Sequence, residues 1–155
     1  MLIGLDPLLS GDLLRHLRLM GHGDALCIAD SNFPGRSTAE RAGGAFVEVA
    51  ADAEAVGRAI LSVLPLDSFV AYPVVRMEPI GRPDEMTAAH AAFARMVEDV
   101  AGPGWAMGGL ERYAFYEAAL RCRLVVATLA RGAYANFILT KGVVGPDGAV
   151  VRAVP

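Results

Sequence analysis

Residues 111–130 read ERYAFYEAALRCRLVVATLA, and the spacing of the apolar side chains changes partway along. Phe115, Ala119 and Cys122 fall on one helical stripe, so the first half predicts a helix. The second half, RLVVATLA, is a continuous apolar run of strand length. A strand with no polar face belongs inside a sheet that is covered on both sides. A helix feeding straight into such a strand is a building unit of α/β architecture.

The same succession recurs on either side. Ser10 can cap a helix through GDLLRHLRLM, with Leu9, Leu13, Leu17 and Met20 on one stripe. Gly21 reads as the left-handed stop of that helix, and ALCIAD follows as a short strand ending in Asp30. SNFPGRS is a loop by composition, and AFVEVA a second strand. Asp52 caps AEAVGRAILSVL, which ends before Pro65. YPVVRMEP is a strand bounded by prolines; PDEMTAAHAAFARMVEDV is a helix with an acidic first turn, broken by GPG. The chain closes with NFILTKGVV and a GPDG turn into a short tail. Alternating strands and helices predict one α/β domain over residues 1–155, with helices on both faces of the sheet and no internal repeat.

The composition narrows the function. The chain has 155 residues, is 54% hydrophobic and carries 17 glycines, an apolar excess that predicts surface buried between subunits as well as within one. A net charge of −3 with scattered basic residues gives no nucleic-acid footprint. Cys27 and Cys122 lie in apolar context without a C-x-x-C partner and read as reduced core thiols of a cytoplasmic protein. MLIGLDPLLSG lacks the basic start of a signal peptide, and no apolar run reaches the ~18 residues of a membrane span.

Familiar catalytic patterns fail. Gly21 and Gly23 follow a helix, and no third glycine completes a dinucleotide fingerprint. The three histidines are far apart and none has zinc-site spacing. His16 lies opposite the apolar stripe and reads as solvated; His90, in an Ala-rich helix, reads as structural. What remains is a set of polar residues at element ends: His22 and Asp24 in the turn GHGD, Asp30 at a strand's C-terminal end, Arg112 opening a helix, and Tyr134 and Asn136 in RGAYANF. Ligands of open α/β sheets bind at such strand ends. Tyr134 and Asn136 share a side if their segment is extended. Each has a structural alternative as well. His22 can cap a helix end, Asp30 can form a turn, Arg112 can pair with Glu111 or Glu117, and Tyr134 and Asn136 can satisfy loop backbone.

Taken together, LLRHLRLMGHGDALCIADSNFP, LDSF at 66–69, ERYAFYEAAL and RGAYANFILTKGV resemble, in the same order, the L-fucose mutarotase and D-ribose pyranase family, closer to its fucose branch. The likeness spans residues 1 to about 144; the tail from about 145 to 155 outlasts the usual ending, and ATLAR stands where many fucose-type members have Thr-Gly-Glu. The resemblance implies a three-layer α/β/α sandwich, ring-shaped homo-oligomers, typically decamers, and sites in clefts between neighbours. By motif match, His22 is the catalytic proton donor. The same match implies that Asp30, Arg112, Tyr134 and Asn136 contact a monosaccharide, fucose or ribose.

The chemistry suits those residue types. Opening a cyclic hemiacetal needs a proton delivered to the ring oxygen and another removed from the anomeric hydroxyl. No electrons, phosphate or acyl group move, so no metal or cofactor is called for. A free imidazole, with a pKa of about 6.5, can do either near neutrality. Positioned acid–base catalysis supplies about 10²–10⁴ in rate. Tyr134 offers a phenolic relay or a ring for the sugar's apolar face, and the glycines beside His22 leave it open to a sugar. Interconversion of ribose ring forms, or sugar binding without catalysis, fits the same residues.

Overall fold

The computed structural model describes residues 2–153. In chain order the elements are α1 (Gly11–Leu19), β1 (Ala25–Ala29), α2 (Gly35–Ala42), β2 (Ala45–Glu48), α3 (Ala53–Leu61), β3 (Val74–Met77), α4 (Ala88–Ala101), β4 (Met107–Leu110), α5 (Arg112–Ala119), β5 (Leu124–Ala127) and β6 (Phe137–Thr140). The strands form one sheet in the order β2-β5-β1-β6-β3-β4. β1 runs parallel to β5, β2 to β5 and β3 to β4, whereas β6 is antiparallel to both β1 and β3.

Alternation along the central strands sorts the core into two layers. Leu26, Ile28, Leu124, Val126, Phe137 and Leu139 point to the side covered by α1, α3 and α4, where Phe93 stacks on Phe137 at 3.8 Å. Cys27, Ala29, Val125 and Ile138 point to the other side, against Ala39 of α2 and Phe115 and Ala119 of α5. The stripes read from the sequence are those buried: Leu9, Leu13, Leu17 and Met20 on one face, Phe115, Ala119 and Cys122 on the other. A side chain of this size contributes roughly 1.5–3 kcal/mol when fully buried, so these stripes fix which way each helix faces.

The structure corrects several boundaries. SNFPGRS is not all loop, because α2 begins at Gly35, behind Pro34 and without a side-chain cap. Gly35 is small because a Cβ there would press on the Phe46 and Val125 side chains. The helix expected from Pro83 starts instead at Ala88, where Thr87 accepts from the His90 N–H. β4 escaped the pattern because Met-Gly-Gly-Leu has no apolar alternation. Gly21 is not the left-handed stop; Met20 ends α1 in extended conformation, and Gly23 is the residue with positive φ, +82°. His16 is only partly exposed and lies 3.5 Å from Asp12.

The expected turn at 145–148 forms, and the tail then folds back: Ser68 Oγ donates to the Val151 carbonyl and accepts from the Ala153 N–H. The last two residues of the tail lie outside the described residues. Among the described residues, no helix is long and apolar enough to cross a membrane.

Candidate active site

The residues singled out in the sequence fall into two groups at opposite ends of β1. At its C-terminal end, the Asp30 carboxylate accepts from the Asn32 and Phe33 N–H groups at 2.9 and 3.0 Å through Oδ1 and from Asn136 Nδ2 at 2.8 Å through Oδ2. Asn136 in turn accepts from the Asp30 N–H at 2.9 Å. Both side chains are nearly buried, at 6% and 3% exposure, so each depends on the other for satisfaction. Asp30 is thus a turn former, and it also lines a cavity.

These two form the floor of a cavity of about 270 Å³ whose wall includes Phe33, Met77, Arg112, Tyr116 and Tyr134. That volume suits a small molecule. Arg112 makes no ion pair with Glu111 or Glu117; its Nη2 donates to the Tyr116 hydroxyl at 3.3 Å. Glu111 instead caps α5 by accepting from the Tyr113 N–H. Phe33 stacks on the Tyr116 ring at 5.3 Å, giving the cavity an aromatic wall. Tyr134 and Asn136 reach it as expected, but not through an extended segment: Tyr134 sits in a turn with φ +60°, alone among the described non-glycine residues. Its hydroxyl accepts from the Ile80 N–H at 3.3 Å. Donors, a carboxylate and an aromatic face around a small cavity are what a polyhydroxylated ring requires.

His22 is not in this cavity. It precedes β1, with roughly 17 Å of strand between its turn and Asp30. There its Nε2 lies 3.2 Å from Asp67 Oδ1. The imidazole is 50% exposed and the Asp67 side chain only 2%, so the carboxylate backs a ring whose far edge is open. A carboxylate accepts, so this contact puts the neutral ring's proton on Nε2 and leaves Nδ1 free. Phe69 meets the ring edge-on at 5.5 Å.

The sequence carried Asp67 only inside the LDSF segment; its partner lies 45 residues away, beyond any local spacing. Gly142 lets the Leu66–Asp67 segment press against the chain after β6, since a Cβ there would collide with the Leu66 carbonyl. Lys141 secures the other side. Its Nζ donates to the Leu17 and Met20 carbonyls at 3.0 and 2.6 Å, and its own carbonyl accepts from the Gly23 N–H. The open space expected here lies beside Gly23, whereas a Cβ at Gly21 would touch the Asp24 carboxylate, and Gly23 is also required by the turn itself.

Fold and cavity together define a small α/β protein with a polar-floored cavity at its strand ends. The chain belongs to the RbsD / FucU transport protein family, which it matches over residues 3–144. It is 37% identical over 148 residues to the fucose mutarotase of Bos taurus, covering 92% of this chain and 94% of that protein. The crystal structure of the Streptococcus pneumoniae fucose mutarotase in complex with L-fucose is similar at 31% identity and a TM-score of 0.83, covering 93% of this chain and all of that one. Bacillus subtilis RbsD complexed with D-ribose, at 19% identity and a TM-score of 0.67 over 88% of this chain and 95% of that one, shares the fold.

Proposed function

We propose that this protein interconverts the α and β anomers of L-fucose by acid–base ring opening and reclosure. The observation that carries the reading is the Asp30–Asn136 pair under a small cavity walled by Arg112, Tyr116 and Tyr134. Arg112 and Asn136 hold hydroxyls, and the Phe33–Tyr116 stack takes the methyl-bearing face. The Tyr134 hydroxyl already accepts from Ile80, so its own proton is free to relay.

In the ring-opening step, His22 in its protonated form keeps Nε2–H on Asp67 and delivers its Nδ1 proton to the ring oxygen. Tyr134 takes the proton of the anomeric hydroxyl and passes its own phenolic proton to solvent water. The C1–O5 bond breaks, and the electron pair of the anomeric O–H becomes the carbonyl of the aldehyde. Rotation about C1–C2 and the reverse transfers close the other anomer. Only protons move, so the proposal includes no metal or other cofactor. Ribose ring forms interconvert through the same kind of open-chain aldehyde, which makes D-ribose the natural second substrate to test.

One copy cannot bring His22 to its own cavity across the length of β1. The site is therefore built from two copies, the His22–Asp67 end of one closing over the Asp30–Asn136 end of another. Repeated head to tail, such a contact closes into a ring, and the resemblance to ring-forming decamers favours that assembly. Phe69, which meets the His22 ring, and the exposed Val70 and Tyr72 that follow it in the chain supply apolar contact area for it. Cys27 and Cys122 are buried free thiols, in keeping with a reducing cytoplasm.

Saturation-transfer NMR of L-fucose and D-ribose with wild type and His22→Ala tests the activity. Faster anomer exchange that collapses in the variant supports the reading; a folded oligomer that binds sugar without accelerating exchange makes the protein a sugar-binding module instead.

A further inference from the structure

We infer that His90 is a positioning residue for Tyr134, holding it in a left-handed backbone conformation that aims its phenol into the pocket. The inference rests on the reading of that pocket as the sugar site. His90 is fully buried at the start of α4, and each ring nitrogen has one partner. Nδ1 lies 3.2 Å from the Thr87 backbone nitrogen and Nε2 lies 3.0 Å from the Tyr134 carbonyl oxygen. A backbone N–H can only donate and a carbonyl can only accept. The ring is therefore neutral, with its proton on Nε2 donated to Tyr134.

Tyr134 needs holding. A side chain with a Cβ disfavours φ +60°, and such a residue persists where its surroundings over-determine it. Two contacts do so here. His90 fixes the carbonyl, and the Ile80 N–H seats the hydroxyl at 3.3 Å. The segment that carries Ile80 is itself pinned, since Arg76 Nη2 donates to the Pro83 carbonyl at 2.8 Å. The imidazole is kept upright by an edge contact with Phe137 at 6.0 Å.

A purely local role does not account for histidine at this position. The reciprocal cap at the start of α4 asks only for an acceptor three residues in, which glutamine or glutamate supplies. The second nitrogen, facing away from the cap, is what spans to a residue 44 positions along the chain. In this arrangement the helix start and the proposed proton relay share one side chain.

The test measures L-fucose anomer exchange for wild type, His90→Gln and His90→Met, each also in a Tyr134→Phe background. Methionine keeps volume but neither partner, whereas glutamine retains an acceptor and a donor. His90→Met is expected to slow exchange by up to roughly 10²-fold, the scale of a slight misplacement of a reacting group. His90→Gln is expected to recover most of the rate, and the His90→Met penalty is expected to vanish once Tyr134→Phe has removed the phenol. Should His90→Met not fold, His90→Asn replaces it, because its shorter amide can cap α4 without reaching Tyr134.

An equal rate penalty in both backgrounds would make His90 merely structural, as would full activity in a folded variant that lacks the donor. No acceleration by wild type would sink the sugar reading and this role with it, an outcome distinct from failure of the His90 comparison alone.

Discussion

Asp30 and Asn136 bond each other in opposite directions, the Asn136 amide donating to the Asp30 carboxylate at 2.8 Å and accepting from the Asp30 N–H at 2.9 Å. The pair joins the end of β1 to the start of β6 and leaves little freedom to either side chain. Asn136→Ala strands a buried carboxylate oxygen and a buried N–H, each costing about 1–3 kcal/mol. The expected result is a lower urea midpoint together with weaker L-fucose binding, seen by denaturation and by NMR titration. Unchanged stability would mean that the two groups find other partners.

Asp67 backs the exposed ring of His22 without itself reaching solvent. Asp67→Ala leaves the imidazole free to rotate and to choose its tautomer, so a loss of roughly 10²-fold in anomer exchange is expected, within the range of acid–base catalysis. Gly142→Ala should give a milder version of the same defect, because a Cβ there pushes the Leu66–Asp67 segment away from the chain after β6. Both variants are checked by exchange kinetics on protein shown to be folded by circular dichroism.

If one copy supplies His22 and its neighbour supplies Tyr134, inactive variants can complement each other. His22→Ala and Tyr134→Phe proteins, each measurably slower than wild type alone, are expected to regain activity after unfolding and refolding as a mixture. Some of the resulting contacts then unite an intact His22 with an intact Tyr134. A mixture no more active than its components would place the whole site within a single copy.

His90 makes stability depend on pH. Its burial disfavours the charged ring, and the Arg76 guanidinium nearby adds to that, so its pKa lies below the ordinary histidine value. The folded state then binds fewer protons than the unfolded state as pH falls through about 6.5, and stability drops with it. Above that range the contribution is fully present. Urea midpoints between neutral and mildly acidic pH should fall more steeply for wild type than for His90→Gln.

The stripes of α1 and α5 were legible because helical spacing reports burial directly: Leu13, Leu17, Phe115 and Ala119 face the core where the pattern put them. Of the residues around the cavity, Asp30, Arg112, Tyr134 and Asn136 were legible through their motifs and Phe33 and Met77 were not; nor was the reason Tyr134 reaches it, since nothing in RGAYANF announces a left-handed turn. β4 was hidden because its glycines are dictated by neighbours; a Cβ at Gly108 would strike Tyr72 and one at Gly109 would strike Glu78. Asp67 and the second bond of His90 were hidden for a related reason. Their meaning lies with His22 and Tyr134, far along the chain, and local pattern carries no trace of such pairings.

The antiparallel β6 lies between β1 and β3, yet among the described residues it is the last of the six strands in sequence. During synthesis the β2-β5-β1 and β3-β4 ladders therefore emerge from the ribosome with nothing to join them. Each exposes an unpaired apolar edge until residues 137–140 arrive. A nascent chain stalled before that point is an aggregation hazard and a natural client for chaperones, and the sheet is completed only once residues 137–140 have been made.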